Sequence, residues 1–167
     1  MSFNYIREIA TPEEIRDSMP LSRELTQLKI ERDRAIKGVF TRQNKLFLLI
    51  IGPCSAHDED AVCDYISRLA RVQEAVKDKL LLIPRIYTNK PRTDGMGYKG
   101  MVHQPDPQQA PNIVEGIRAI RRLHIRAIQE SGLPAADEML YPGNYPYLED
   151  VLSYVAVGAR SVENQAH

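Results

Sequence analysis

Four short apolar segments alternate with longer polar segments over most of the chain. The apolar segments occupy residues 46–51, 80–86, 133–139 and 155–158, and they predict β-strands. Residues 58–76, 112–131 and 144–154 lie between them and predict helices. This alternation predicts an α/β fold with a parallel sheet and right-handed crossovers. Because residues 46–51 are all apolar, the first strand is further expected to be buried on both faces.

Residues 1–40 predict an N-terminal helical arm that precedes this α/β unit. Thr11 is expected to cap one helix, with Glu14 completing a capping box, and Ser22 is expected to cap a second helix. The arm is expected to pack on the domain or on another subunit. A frayed surface helix is the alternative.

Composition narrows the class of protein. The length of 167 residues fits one ordinary domain that can bury a core. Basic and acidic residues balance at 22 each, which argues against a general surface for nucleic acid or anionic membranes. No stretch is long enough to span a bilayer, and the N-terminus lacks the apolar core of a signal peptide. Cys54 and Cys63 do not suggest a disulfide scaffold, so a reducing cytoplasm is the expected location.

One predicted helix is rich in arginine, with Arg118, Arg121, Arg122 and Arg126 close together. Such a cluster binds nucleic acid or an acidic partner in some proteins. We favour a solvated outer face of the helix, because charged runs on helices usually face water.

Three cations follow the second predicted strand within a short loop. Arg85, Lys90 and Arg92 fall within eight residues, and Pro91 stiffens the chain between the last two. Fixed cations beyond the end of a buried strand suit an anionic, phosphorylated ligand. The loop alone leaves a solvated basic loop as an equal alternative.

Reactive side chains also follow the other predicted strands. Cys54 follows the first strand, Arg85 and Lys90 the second, Glu138 ends the third and Arg160 follows the fourth. The carboxyl ends of parallel strands lie at one face of a sheet, which is where α/β proteins and barrels have their active sites. The pattern therefore predicts that these five side chains converge on one site.

Several motifs together resemble those of the type I 3-deoxy-D-arabino-heptulosonate 7-phosphate (DAHP) synthases. The resemblance extends from about residue 46 to residue 167 in the order of the family. It is carried by Gly52-Pro53-Cys54-Ser55, Lys90-Pro91-Arg92-Thr93, Gly132-Leu133-Pro134-Ala135-Ala136-Asp137-Glu138 and Gly158-Ala159-Arg160-Ser161-Val162-Glu163-Asn164-Gln165.

The resemblance implies a (β/α)8 TIM barrel, of which residues 41–167 would supply the N-terminal half, with about four parallel strands and their helices. It implies a transferase that condenses phosphoenolpyruvate with erythrose 4-phosphate, giving DAHP and phosphate in the first step of the shikimate pathway. It also implies a divalent metal ion of the manganese, iron, cobalt or zinc class. Thiolate is a good ligand for such metals, which act as Lewis acids on carbonyl groups.

Carried over by position, the resemblance assigns a role to each site residue. The metal ligand would be Cys54. Phosphoenolpyruvate would be held by Arg85, Lys90 and Arg160, with Glu138 lining that pocket. Ala159 would be a further substrate-binding residue. Erythrose 4-phosphate would face Lys90, Pro91, Arg92 and Thr93. Lys90 is the expected catalytic residue, because a lysine between two anionic substrates bonds to both and neutralises developing charge.

The same resemblance implies limits on the activity and metal binding of this chain, and it implies partners for the chain. The histidine, glutamate and aspartate that complete the metal site of the family come from the second half of its barrel. We therefore expect this chain alone to be truncated, to be inactive or nearly so and to hold metal weakly. Uncovered strand edges predict association into a homo-oligomer. The N-terminal arms of the family imply an aromatic amino acid as effector.

Two alternatives remain open at this stage. The first is the related 3-deoxy-octulosonate 8-phosphate synthase, which uses arabinose 5-phosphate; the Lys90-Pro91-Arg92-Thr93 motif favours erythrose 4-phosphate. The second is a non-catalytic fragment that binds anions or serves assembly.

Overall fold

The structure is a computed structural model that describes residues 8–90, 98, 100–139 and 142–157. Within these residues two helices precede an alternation of strands and helices. No helix in these ranges is both long enough and apolar enough to cross a membrane.

The two N-terminal helices begin at the predicted capping residues. Helix α1 spans Pro12–Ser18 and helix α2 spans Arg23–Phe40. The Thr11 hydroxyl accepts a hydrogen bond from Glu14 N at 3.2 Å, and the Glu14 carboxylate accepts one from Thr11 N at 2.8 Å. The Ser22 hydroxyl caps α2 in the same way. The predicted capping box is thus confirmed, and two backbone N–H groups at the start of α1 are satisfied.

Four strands run parallel to one another, which confirms the predicted α/β fold. Their bounds are Phe47–Ile51 (β1), Leu80–Pro84 (β2), Ala136–Met139 (β3) and Tyr154–Val157 (β4). β1 pairs with β2, and β3 pairs with β4. A single parallel bridge between Arg85 and Ala136 links the two pairs, with Ile86 N donating to Ala136 O at 2.8 Å.

The long helices α3 (Glu59–Val76) and α4 (Ile113–Ser131) pack against each other, and α3 also packs on β2. Asn112 caps α4, and Gly132 ends it with a left-handed φ of 67°, as the sequence predicted. The buried face of α4 is mainly apolar and also carries the side chains of Arg121 and His124. Its members include Ile117, Ile120, Leu123, His124 and Ile128.

The helix predicted over residues 144–154 is wrong. A short 3₁₀ helix covers Pro142–Tyr147 instead, and turns follow it up to residue 151. Pro146 lies inside this segment and has no N–H group to donate to an α-helical ladder. The sequence therefore stops an α-helix before it can grow.

The prediction that β1 is buried on both faces is wrong for the described structure. Phe47 is 67% exposed, and Ile50 and Ile51 are exposed as well. β2, in contrast, is almost fully buried, because α3 and β1 both contact it. An apolar run predicts a strand, but its burial depends on whether protein covers both sides.

Arg121 also contradicts the prediction that the arginines of α4 face solvent. Its side chain is 0% exposed, whereas that of Arg122 is 60% exposed. Its guanidinium donates to Met19 O, Tyr147 O and both carboxylate oxygens of Asp150, over distances of 2.7–3.0 Å. Arg121 thus joins the N-terminal arm, α4 and the segment before β4.

Candidate functional site

The carboxyl ends of β1 and β2 touch directly, and a glycine makes the approach possible. Arg85 N donates to Ile51 O at 2.9 Å. A Cβ atom added to Gly52 would lie 1.8 Å from Arg85 O, well inside van der Waals contact. Only glycine therefore lets the Gly52-Pro53-Cys54 segment cross the end of β2 at this distance.

Arg85 is held at the end of β2 by three groups. Its Nη1 donates to Glu138 Oε2 at 2.7 Å, and its Nη2 donates to Pro53 O at 3.1 Å. Its guanidinium carbon lies 5.1 Å from the centre of the Tyr87 ring, which allows a cation–π contact. Arg85 and Glu138 each keep about a quarter of the side chain exposed, at 25% and 22%. Arg85 Nε has no hydrogen-bond partner in the described structure, so the guanidinium retains an unpaired donor.

Lys90 meets the segment that follows β1. Its Nζ lies 2.7 Å from Cys54 Sγ. Cys54 is exposed and Lys90 is half-buried. The thiolate form of a cysteine is the one that binds metals.

Four of the predicted site residues are thus joined by contacts. Cys54 touches Lys90, the carbonyl of its neighbour Pro53 binds Arg85, and Arg85 pairs with Glu138. The convergence predicted for these side chains is observed, while their roles toward substrates and metal remain predictions. Pro91, Arg92, Thr93, Ala159 and Arg160 lie outside the described residues.

The described residues do not form a complete metal centre. No group of three or more histidine, cysteine, aspartate or glutamate side chains suited to a metal ion occurs in the ranges that the structure describes. Cys54 supplies one thiol, and the nearby Glu138 is already paired with Arg85. The described residues thus supply one candidate ligand, whereas catalytic metals usually have three protein ligands.

A buried polar network behind these residues was not predicted. Asp137, Thr88 and His124 are at most 1% exposed. Asp137 Oδ2 accepts hydrogen bonds from Thr88 Oγ1 at 2.5 Å and from His124 Nε2 at 3.2 Å. Asp137 Oδ1 accepts from Thr88 N at 3.1 Å and from Glu138 N at 2.7 Å. The available indication was a charged residue inside an apolar strand, together with a histidine on the apolar face of α4.

A second contact joins this region to the segment before β4. Asn144 Nδ2 donates to Asn89 Oδ1 at 3.3 Å, and Asn89 is 4% exposed. Asn89 Nδ2 lacks a hydrogen-bond partner in the described structure. The contact with Asn144 therefore helps to fix Asn89, the residue before Lys90.

The site thus presents two cations, one carboxylate and one thiol at the carboxyl ends of three parallel strands. Arg85 and Lys90 exceed Glu138 in charge, so the arrangement favours an anionic ligand. Arginine offers the planar fork that matches carboxylate and phosphate groups. These are the features that a site for a phosphorylated small molecule needs.

Comparison with known proteins decides the family. The model of the DAHP synthetase I family matches residues 23–167. The chain therefore belongs to the DAHP synthetase I family.

Curated members of the DAHP synthetase I family resemble nearly the whole chain. The "Phospho-2-dehydro-3-deoxyheptonate aldolase, Phe-sensitive" of Escherichia coli is 35% identical over 162 residues, which are 97% of this chain and 46% of that protein. The phenylalanine-inhibited aldolase of Saccharomyces cerevisiae is 33% identical over 95% of this chain and 42% of its own length.

A solved structure agrees with these relatives. The phospho-2-dehydro-3-deoxyheptonate aldolase of Francisella tularensis superposes with a TM-score of 0.85 at 28% identity, over 99% of this chain and 48% of that one. The chain thus spans about half the length of the DAHP synthetase I family members that it matches.

Proposed function

We propose that the chain is the substrate-anion-binding part of a DAHP synthase. The proposed reaction joins phosphoenolpyruvate, erythrose 4-phosphate and water to give DAHP and inorganic phosphate, as the first step of the shikimate pathway. The observation that carries the proposal is the set of contacts linking Cys54, Lys90, Arg85 and Glu138 at the carboxyl ends of the strands. Family membership supports the same function.

The proposal includes a fold for the whole protein. Residues 41–167 would be the N-terminal half of a (β/α)8 barrel. Four parallel strands with helices between them support this fold. The exposed face of β1 supports it as well, because the other half of a barrel would cover Phe47 and Ile51.

The chemistry asks the protein to bring two multiply charged anions together. Arg85, Lys90 and Arg160 would hold phosphoenolpyruvate, with Glu138 lining that pocket. Ala159 would be a further substrate-binding residue. Glu138 and Pro53 O hold the two terminal nitrogens of Arg85 in place, and a quarter of its side chain stays exposed. A cation fixed in this way costs little reorganisation when the ligand arrives.

Lys90 is the proposed catalytic residue. As part of Lys90-Pro91-Arg92-Thr93 it would face both phosphoenolpyruvate and erythrose 4-phosphate. Its ammonium can donate up to three hydrogen bonds, so it can contact both substrates and offset their repulsion. Its location between the Cys54 segment and the end of β2 supports this role.

Metal and partners complete the proposal. Cys54 would contribute one thiolate ligand to a divalent ion of the manganese, iron, cobalt or zinc class. Residues 1–40 would serve contacts in a homo-oligomer or binding of an aromatic amino acid effector. The names of two Escherichia coli relatives, Phe-sensitive and Tyr-sensitive, support the effector. A cytoplasmic location belongs to the same proposal.

Calorimetric titration of phosphoenolpyruvate into the chain tests the site. Lys90→Met is expected to weaken binding by about tenfold or more, because a charge-assisted hydrogen bond contributes about 1.5–3 kcal/mol. Lys77→Met is the matched control, since Lys77 is an exposed lysine that follows α3 and pairs with Glu74. Equal affinities for the two variants would contradict the proposal.

Turnover is tested separately by following phosphate release with each sugar phosphate. The chain is mixed with the C-terminal part of the Escherichia coli Phe-sensitive relative, with and without a chelator. Release with erythrose 4-phosphate that the chelator abolishes is the expected result. Release only with arabinose 5-phosphate would favour the related octulosonate synthase. Binding without turnover in a folded complex would favour a non-catalytic anion-binding or assembly fragment.

A further inference from the structure

The carboxylate of Asp137 ends the hydrogen-bond ladder between β2 and β3. From the bridge at Arg85, a continuing parallel ladder would join Glu138 N to Ile86 O and Thr88 N to Glu138 O. Both N–H groups instead donate to Asp137 Oδ1, at 2.7 and 3.1 Å. One side-chain oxygen therefore receives the two donors that the next ladder step would use.

Because these two amides bond to the Asp137 side chain and not to the neighbouring strand, the chain takes a different path after β2. Thr88 N also contacts Ile86 O at 3.0 Å, so the backbone turns at residues 86–88 instead of following β3. Two residues later, Lys90 Nζ lies at Cys54 Sγ, on the β1 side of the site. The segment that carries Lys90 thus leaves the sheet where the carboxylate intervenes.

The carboxylate is itself held from behind by α4. His124 Nε2 lies 3.2 Å from Asp137 Oδ2, and His124 Nδ1 has no hydrogen-bond partner in the described structure. With Thr88 Oγ1, Thr88 N and Glu138 N also in contact, the Asp137 carboxylate has polar partners at about as many positions as the roughly four that it offers.

We propose that Asp137 is a positioning residue that holds segment 86–90, and with it Lys90, in place beside the Arg85–Glu138 pair. Burial alone does not explain its contacts. An apolar residue would fill the same volume but would leave Thr88 N and Glu138 N without this acceptor. The consequence for phosphoenolpyruvate rests on the function proposed above, whereas the consequence for the backbone does not.

The backbone consequence is tested by amide hydrogen exchange, measured by NMR on the chain. In Asp137→Ala the amides of Thr88 and Glu138 are expected to exchange at least about tenfold faster, because each loses an acceptor of roughly 1.5 kcal/mol or more. Asp137→Asn, which keeps one acceptor oxygen, is expected to fold if Asp137→Ala does not and to give a smaller increase. Asp64→Asn, which alters an exposed carboxylate paired with Arg68 on α3, is the control and leaves both amides unchanged.

The ligand consequence is tested by phosphoenolpyruvate titration of variants at Thr88. Thr88→Val removes the hydroxyl donor at nearly constant shape and is expected to weaken binding by about tenfold, since small misplacements of a binding group are costly. Thr88→Ser keeps the donor and is expected to bind as the parent chain does. A merely structural role would move stability in both variants without this difference in affinity.

Unchanged exchange at Thr88 and Glu138 in a folded Asp137 variant would overturn the proposal. Equal phosphoenolpyruvate affinities for Thr88→Val and Thr88→Ser would also overturn it. If the parent chain does not bind phosphoenolpyruvate, the proposed function fails, and the exchange measurement still decides the role of Asp137.

Discussion

Replacing Arg121 by methionine should destabilise the chain strongly, although the side chain keeps a similar volume. The guanidinium is fully buried and makes a two-point contact with Asp150, at 2.7 and 2.8 Å. It also donates to Met19 O and Tyr147 O. In Arg121→Met these carbonyls and the carboxylate lose their donors at once.

The expected magnitude follows from this loss. Removing one partner of a buried ion pair costs about 3–5 kcal/mol, because the other charge stays behind. The Asp150 side chain is 34% exposed, so water reaches it and the cost falls to the lower end of that range. With an m-value of about 2 kcal/mol/M, a loss of about 3 kcal/mol lowers the urea midpoint by about 1.5 M.

Urea unfolding followed by circular dichroism measures this shift. Arg122→Met is the matched control, because Arg122 is the next residue of α4, is 60% exposed and pairs with Glu59 at 3.2 Å. An exposed ion pair contributes below about 1 kcal/mol, so the control midpoint should stay within about 0.5 M of the parent chain. A similar small shift for Arg121→Met would refute the reasoning that this buried contact ties the arm to α4.

Three further predictions concern the two thiols and one close backbone contact. Iodoacetamide at neutral pH should modify the exposed Cys54 and spare Cys63, which is 2% exposed and whose pKa is raised to about 11 by burial; mass spectrometry showing equal rates would contradict this. Because the unfolded Cys63 thiol ionises near its ordinary pKa of 9.0, its contribution to stability should be present below about pH 9 and be lost as the pH rises through about 11, in a comparison with Cys63→Ala. Gly52→Ala should lower the urea midpoint, because its Cβ would lie 1.8 Å from Arg85 O, whereas Gly143→Ala has no atom within 4 Å of the added Cβ; equal midpoints for the two variants would count against the close approach.

Local features of the fold were predictable from the sequence. Thr11, Ser22 and Asn112 cap helices where the sequence predicted caps, and Gly132 ends α4 in the left-handed conformation. Such features depend on a few neighbouring residues, so a single sequence carries enough information. The convergence of Cys54, Arg85, Lys90 and Glu138 was predictable too, because parallel strands bring their carboxyl ends to one face.

Features that depend on distant segments were predicted less well. Arg121 shares a helical face with Ile117, His124 and Ile128, so periodicity alone indicated an inward position. The charge suggested the opposite, because its partner Asp150 and the Met19 carbonyl lie far away along the chain. Periodicity was the better guide here.

The same limit applies to β1 and to the network behind the site. Six apolar residues predict a strand but do not say what covers it, and Phe47 is in fact exposed. Asp137 stood beside the predicted Glu138, yet its partners Thr88 and His124 come from other elements. The pairing of a buried carboxylate emerges only when the elements are packed together.

A crystal structure of the chain grown with phosphoenolpyruvate tests the central claim most directly. The account predicts the ligand at the carboxyl ends of β1, β2 and β3, with its carboxylate or phosphate oxygens within hydrogen-bond distance of both Arg85 and Lys90. Phosphoenolpyruvate bound elsewhere, with the contacts of Arg85 to Glu138 and of Lys90 to Cys54 unchanged, would contradict it.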